Sequence, residues 1–177
     1  MVGGHCIPVD PYYLTYASTR TGYDAEIVLS GREVNEAMPG FIAEKLVKML
    51  VATNNGSHGA KILILGLAFK ADIADTRNSK ILELAGTLEQ VGANVDVYDP
   101  NVDKHLLDNN DLNMIQNPFV TNERWDGLVL GVPHRQFDTE RVLSIVHRLN
   151  KPGVVVDVTG KFEAVAGIVN GVNYWRP

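Results

Sequence analysis

Cysteine is nearly absent from this sequence, since Cys6 is the only one among 177 residues. A disulfide within the chain is therefore excluded, which is typical of proteins from a reducing compartment. Long apolar runs and a secretory leader pattern are also missing, and the net charge of −5 leaves no extended basic surface for nucleic acid or anionic lipid. These absences predict a soluble cytoplasmic protein that binds neither nucleic acids nor membranes.

The first part of the chain has the periodicity of helices. A short helix is predicted from Pro11 to Thr21, and Gly22 ends it. A longer helix is predicted over residues 25–50, because apolar side chains recur there at spacings of three, four and seven. Pro39 either kinks this helix or divides it in two, and we favour one kinked helix. The apolar stripe consists of Ile27, Val34, Met38, Phe41, Ile42, Leu46 and Met49.

The rest of the chain alternates strand and helix patterns. Residues 54–59, NNGSHG, predict a linker, and the predicted strands after it are KILILGLAF, NVDVYDP, DGLVLGV and GVVVDV. Helices are predicted over residues 79–91 and from about Asp138. This interleaving predicts an α/β fold, in which a doubly wound, mainly parallel Rossmann-like sheet follows the long helix. We predict domains at residues 1–57 and 58–177.

Ligands of doubly wound folds bind beyond the carboxyl ends of the strands. In this sequence those positions are Gly66, Asp99, Gly131 and Asp157. Asp99 has the place of a ribose-binding acid, but we interpret it as a turn residue before Pro100.

The turn after the first predicted strand lacks two of the three glycines of a dinucleotide-binding fingerprint. It reads GLAFKADIADTRNS, whereas the fingerprint requires G-x-G-x-x-G. Lys70 and Arg77 lie in this turn and can bind phosphate by charge, so we interpret it as a nucleotide-phosphate loop that is not a standard NAD site. The alternative is that Lys70 and Arg77 are surface residues paired with Asp72 and Asp75.

Cys6 lies just before a predicted helix start, in the stretch GGHCIPVDP. The helix dipole favours an anion there, which predicts a lowered thiol pKa and a nucleophilic role. Gly3 and Gly4 would let a substrate approach the backbone, and Asp10 is a candidate general base or water-orienting group. The alternative is a buried structural cysteine. His5 is considered as a base or metal ligand, but the five histidines are scattered and no metal site is predicted.

These motifs together resemble the UDP-glucose/GDP-mannose dehydrogenase family. The matching stretches are GGHCIPVDPYYL, GREVNEAM, ILILGLAFKADIADTRNS, VYDP and WDGLVLGVPHRQF, in the family's order. His5 and Val9 resemble the branch that oxidises UDP-N-acetylhexosamines for bacterial surface polysaccharides. Family members that act on UDP-glucose usually carry Ser and Lys at these two positions.

The resemblance implies a role for each candidate residue. Cys6 takes the C6 aldehyde as a thiohemiacetal and then holds a thioester, between two hydride transfers to NAD. Asp10 helps to activate the water that hydrolyses the thioester. The residues expected to bind the sugar nucleotide are Gly3, Gly4, His5, Lys70 and Arg77.

Family members begin with an NAD-binding domain and carry a catalytic Lys and Asn before the cysteine loop, and only Met1 and Val2 precede the glycine pair here. We therefore interpret the chain as a C-terminal part of the enzyme, which alone neither binds NAD nor turns over substrate. Its long helix is expected to form a homodimer. The alternative is a noncatalytic α/β nucleotide-binding or interaction domain in which Cys6 is structural.

Overall fold

The computed structural model describes residues 1–53, 56, 58–107 and 112–177. Four helices and six strands form its framework. The helices are α1 (Asp10–Thr19), α2 (Glu26–Ala52), α3 (Lys80–Gln90) and α4 (Thr139–Arg148). The strands are β1 (Lys61–Leu65), β2 (Asn94–Tyr98), β3 (Asn113–Met114), β4 (Gly127–Leu130), β5 (Gly153–Asp157) and β6 (Val172–Trp175). Short 3-10 helices cover Lys104–Leu106 and Glu163–Val165.

The six strands form one parallel sheet in the order β3-β2-β1-β4-β5-β6. This is the strand order of a doubly wound dinucleotide-binding fold, and it confirms the predicted α/β class. The order reverses between β1 and β4, so the carboxyl ends of these two strands flank the crevice in which such folds bind ligands.

The sheet is covered on both faces because its strands alternate their side chains. Ile62 and Ile64 of β1 pack with α2 and α3 on one face. Leu63 and Leu65 pack with α4 and the segment after β5 on the other. A strand with two buried faces reads as a continuous apolar run, which is why KILIL was recognisable in the sequence.

Helix α2 continues through Pro39 as one helix, so the proline does not divide it. The apolar stripe predicted along it is, however, split between two environments. Ile42 and Leu46 are fully buried against the sheet, whereas Ile27, Val34 and Phe41 are 90%, 65% and 52% exposed. The prediction of a single apolar surface was therefore wrong. Only the second half of α2 reaches the sheet, and the residues spaced by seven, Ile27, Val34 and Phe41, face solvent instead.

Part of the predicted linker, namely Asn54, Asn55 and Ser57, lies outside the described residues. The domain boundary between residues 57 and 58 therefore stays a prediction. Along the described part of the chain, every helix is too short or too polar to cross a membrane.

Candidate functional site

The cysteine loop, residues 1–9, is held between α2 and the loop that follows β1. The Gly4 N–H donates to the Arg77 carbonyl at 3.1 Å, and the Asn78 side-chain amide donates to the Gly4 carbonyl at 2.9 Å. From α2, the Asn35 amide group makes two hydrogen bonds to the backbone of Val2, at 2.7 and 3.0 Å. These bonds join the only cysteine to the loop that carries both predicted phosphate-binding cations.

Both glycines before His5 are required by this docking. A Cβ atom on Gly3 would lie 2.5 Å from the Asn78 carbonyl oxygen. Gly4 has φ +95°, and a Cβ there would lie 2.9 Å from the Phe69 ring. The structure therefore gives these glycines a packing role, and their predicted contact with substrate stays a prediction.

Cys6 is exposed, so it is not the buried small hydrophobe of the alternative interpretation. Its Sγ lies 3.6 Å from His5 Nδ1, and His5 Nε2 lies 3.6 Å from Asp75 Oδ2. The His5 ring also meets the Phe69 ring edge to face, with 5.7 Å between centroids. Asp10 is the first residue of α1, exposed, and its backbone N–H donates to the Cys6 carbonyl at 2.8 Å.

The predicted pairing of the loop's cations with its aspartates holds for one cation. The Arg77 guanidinium binds the Asp75 carboxylate at 2.6 Å, and these hydrogen bonds lower the pKa of Asp75 to about 2. Asp72 pairs with Arg135 instead of Lys70, at 2.9 Å. Lys70 is exposed and makes none of the hydrogen bonds or ion pairs found in the described part of the chain, so its charge is available to a ligand.

Lys70 and the cysteine loop share a cavity at the carboxyl ends of β1, β4 and β5. The cavity has a volume of about 160 Å³, and its lining includes Gly3, Phe69, Lys70, Ser79 and Thr159. Ser79 also lines a larger cleft of about 850 Å³ beside α3, together with Arg77. Of the seven predicted site residues, Gly3 and Lys70 line the smaller cavity and Arg77 lines the larger cleft.

Asp99 follows β2, and its carboxylate has a structural role. Its Oδ2 accepts hydrogen bonds from the backbone N–H groups of Leu67 and Ala68 at 2.7 and 3.0 Å, and its Oδ1 accepts from the Asn101 N–H. His134 Nε2 lies 2.8 Å from the same Oδ2. Because the Asp72 N–H donates to His134 Nδ1, the ring carries its proton on Nε2 and donates it to Asp99.

The hydrogen bonds of Asp99 determine whether the turn after Gly66 can bind the pyrophosphate of a dinucleotide. In a dinucleotide-binding turn the backbone N–H groups after the first strand bind the pyrophosphate. Here the N–H groups of Leu67 and Ala68 already bind the Asp99 carboxylate, which is itself buried. The residues of this turn therefore do not fit NAD, and Asp99 is the turn residue that the sequence indicated.

Asp157, at the end of β5, is also a structural acceptor. It accepts hydrogen bonds from the N–H groups of Thr159, Gly160 and Phe162 and from the Tyr174 hydroxyl. Burial, together with this hydrogen bond to Asp157, raises the pKa of Tyr174. Across the described residues, no group of three or more His, Cys, Asp or Glu side chains is placed to hold a metal ion.

Sequence reasoning missed four residues of this region: Asn35, Asp75 as a partner of His5, Asn78 and His134. The only signal for His134 was its place after the strand DGLVLGV, at a strand end where ligands or positioning groups occur. The partners of the other three lie between 33 and 74 residues away along the chain, so no local pattern reveals them.

Two parts of the chain match two domains of one protein family. Residues 63–164, more than half of the chain, match the UDP binding domain of the UDP-glucose/GDP-mannose dehydrogenase family, and residues 1–37 match that family's central domain. The chain is 37% identical over 137 residues to UDP-N-acetyl-D-glucosamine 6-dehydrogenase of Salmonella typhi, and 36% identical over 138 residues to the enzyme of that name from Pseudomonas aeruginosa. Each match covers 77% of this chain and 32% of the relative.

Among solved structures, a UDP-D-ManNAc dehydrogenase from Pyrococcus horikoshii superposes with a TM-score of 0.79 at 28% identity, over 99% of this chain and 38% of that one. The chain thus spans about a third of the length of the curated relatives it matches.

Proposed function

Because the chain belongs to the UDP-glucose/GDP-mannose dehydrogenase family, we propose that it is the cysteine-loop, long-helix and UDP-binding part of an NAD-dependent UDP-N-acetylhexosamine 6-dehydrogenase. Such an enzyme oxidises the C6 hydroxyl of its substrate to a carboxylate, for surface polysaccharide synthesis. The observation that carries the proposal is the docking of the cysteine loop, which presents the exposed Cys6 thiol, onto the loop that holds Lys70 and Arg77.

The chemistry assigned to this chain is covalent capture and release. The Cys6 sulfur adds to the carbonyl carbon of the C6 aldehyde, and after loss of a hydride it holds the sugar as a thioester. Asp10 donates a backbone hydrogen bond to the Cys6 carbonyl. Its carboxylate accepts a proton from the water that attacks the thioester and releases the sugar carboxylate and the Cys6 thiolate. NAD supplies the hydride acceptor, and the Gly66 turn of this chain is not its binding site.

The sugar nucleotide is assigned to the depressions beside Lys70 and Arg77. An exposed ammonium group and a guanidinium group with one exposed edge suit the two charges of a diphosphate. Lys70 supports this assignment, because its exposed ammonium group makes none of the hydrogen bonds or ion pairs found among the described residues and so stays open to a phosphate.

We expect the isolated chain to bind UDP and UDP-N-acetylglucosamine and to show no binding of NAD. The reason is that Lys70 and one edge of the Arg77 guanidinium are open to phosphate in the described part of the chain, whereas the amides that would bind a dinucleotide are occupied by Asp99. Isothermal titration calorimetry with each ligand is the measurement. Micromolar binding of NAD contradicts the assignment, and no heat with either UDP ligand favours the noncatalytic interaction domain instead.

We also propose that the chain forms a homodimer through the exposed face of α2 that carries Ile27, Val34 and Phe41. Ile27, Val34 and Phe41 are spaced by seven residues, lie on one face of this helix and are exposed in the single chain. Two-fold dimers are the commonest oligomers, and pairing of this face with its copy would remove it from water.

Val34→Glu is expected to convert this dimer into a monomer, because it places an unpaired carboxylate in an apolar contact at a cost of several kcal/mol. Sedimentation equilibrium at micromolar concentration measures the change. Val51→Glu is the matched control, since Val51 is similarly exposed on the same helix but seventeen residues away and on another face. A monomeric unmodified chain, or equal effects of both variants, argues against this interface.

A further inference from the structure

His5 lies between the Cys6 thiol and a carboxylate that belongs to a distant part of the chain. The distances are 3.6 Å from Sγ to Nδ1 and 3.6 Å from Nε2 to Asp75 Oδ2. The same order of groups, a nucleophile, an imidazole and a carboxylate, occurs in hydrolases with an activated nucleophile. Here it is assembled from neighbours in the cysteine loop and one residue of the β1–α3 loop.

Two groups from the β1–α3 loop orient the imidazole, the Phe69 ring and the Asp75 carboxylate. The Phe69 ring meets the imidazole edge to face. The Asp75 carboxylate faces Nε2 and therefore favours the tautomer with its proton on that nitrogen. Nδ1 is then an acceptor, and it is directed at Sγ.

Asp75 is itself held as an anion in this position. Its carboxylate accepts hydrogen bonds from the Arg77 backbone N–H and guanidinium, at distances between 2.6 and 3.1 Å. Its carbonyl accepts from the Phe69 N–H at 3.0 Å, which fixes the loop. The thiol is thus linked to the His5 imidazole, and through it to the Asp75 carboxylate and the Arg77 guanidinium.

We propose that His5 is the general base that deprotonates Cys6, and that Asp75 is a positioning residue which acts through His5. The Sγ–H bond breaks, the proton moves to Nδ1, and the electron pair stays on sulfur. That pair then forms the bond to the aldehyde carbon while the carbonyl π electrons move to oxygen. The addition rests on the proposed function, whereas the proton transfer is a property of this chain alone.

Alkylation of Cys6 by iodoacetamide tests the proton transfer without any sugar nucleotide. Because the chain has one cysteine, the mass of the intact protein reports this site only. An ordinary thiol is only about 3% ionised at pH 7, so loss of an effective base is expected to slow alkylation by roughly tenfold at that pH. His5→Ala and His5→Gln should both show this loss, and His147→Ala, an exposed histidine of α4, should not.

Added imidazole separates a base from a merely structural side chain. It is expected to restore alkylation of His5→Ala and to leave the unmodified chain and His5→Gln nearly unchanged, because only the alanine variant leaves room for it. Unchanged alkylation in both His5 variants, or no restoration by imidazole, overturns the role of His5.

The role of Asp75 is tested by a double-mutant cycle with His5. Asp75→Asn should slow alkylation severalfold when His5 is present and have no effect in the His5→Ala background. Equal effects in both backgrounds would mean that Asp75 acts on the thiol by its charge alone and not through His5, which overturns its positioning role. UDP binding measured on the same samples reports the proposed function separately, because its failure leaves these alkylation rates unaltered.

Discussion

Asp99→Ala is expected to lower the free energy of unfolding by about 3–5 kcal/mol, the range for breaking a buried, charge-assisted network. Four donors converge on this buried carboxylate: the N–H groups of Leu67, Ala68 and Asn101, and His134 Nε2. Alanine would leave all four without their partner. Since two of them belong to the β1–α3 loop, the variant should also lose UDP binding together with the order of that loop.

Urea unfolding followed by circular dichroism measures the change in stability. Asp103→Ala is the matched control, because its carboxylate is exposed and, among the described residues, accepts a hydrogen bond from the His105 N–H at 3.2 Å. Loss of a single exposed cap costs about 1 kcal/mol. Similar decreases in the free energy of unfolding for the two variants would contradict the prediction that Asp99 stabilises the fold through four hydrogen bonds.

The same network predicts how stability depends on pH. Burial alone raises the pKa of Asp99, but the hydrogen bonds from His134 and three backbone amides outweigh it and keep the pKa below its ordinary value of 3.8. A lowered folded-state pKa gives stability that is present above the unfolded value and is lost as pH falls through the folded one. The free energy of unfolding should therefore decrease from pH 5 to pH 3, and less steeply in Asp99→Ala.

The double variant Lys70→Ala, Arg77→Ala is expected to weaken UDP binding by a hundredfold or more. Each charge-assisted contact to phosphate contributes about 1.5–3 kcal/mol, which corresponds to about tenfold to a hundredfold in affinity. The fold should be unaffected, since both side chains are exposed and an ion pair whose guanidinium is exposed to solvent adds little stability.

Calorimetry at fixed salt measures the loss, and the control removes the same two positive charges elsewhere. Lys48→Ala with Arg141→Ala serves this purpose, because both side chains are exposed on α2 and α4. A comparable loss in the control would mean that net charge, and not these two cations, binds the diphosphate. Full affinity in the Lys70, Arg77 variant would move the UDP site away from the β1–α3 loop.

Local patterns in the sequence determined the elements of this protein. The strands β1, β2, β4 and β5 were each predicted from a buried apolar run, and α3 and α4 from apolar side chains on one helical face. Burial on one or two faces imposes a period on the residues of a single segment, so a sequence records it directly. Strands β3 and β6 were missed because they form the two edges of the sheet, where their side chains are only partly buried and leave no continuous apolar run.

The candidate site was predictable only as a set of residue types. The glycine pair, Cys6 and the cations Lys70 and Arg77 were recognisable from motif and chemistry, since each stands at a loop or strand end where ligands bind. Whether a given charge is used by the fold or left for a ligand was not recognisable. Asp72 and Asp75 have similar places in the sequence, yet one pairs with Arg135 and the other with Arg77 and His5.

Tertiary structure alone decided three features: the bond of His134 to Asp99, the approach of His5 to Asp75, and the division of the α2 stripe between sheet and solvent. Each depends on where a parallel sheet places loops that lie 35 to 70 residues apart, or on how far the sheet extends along a helix. The sequence determined which residues were able to act. The contacts between distant loops decided which of them hold the fold and which face a ligand, because pairing across such distances leaves no period within any one segment.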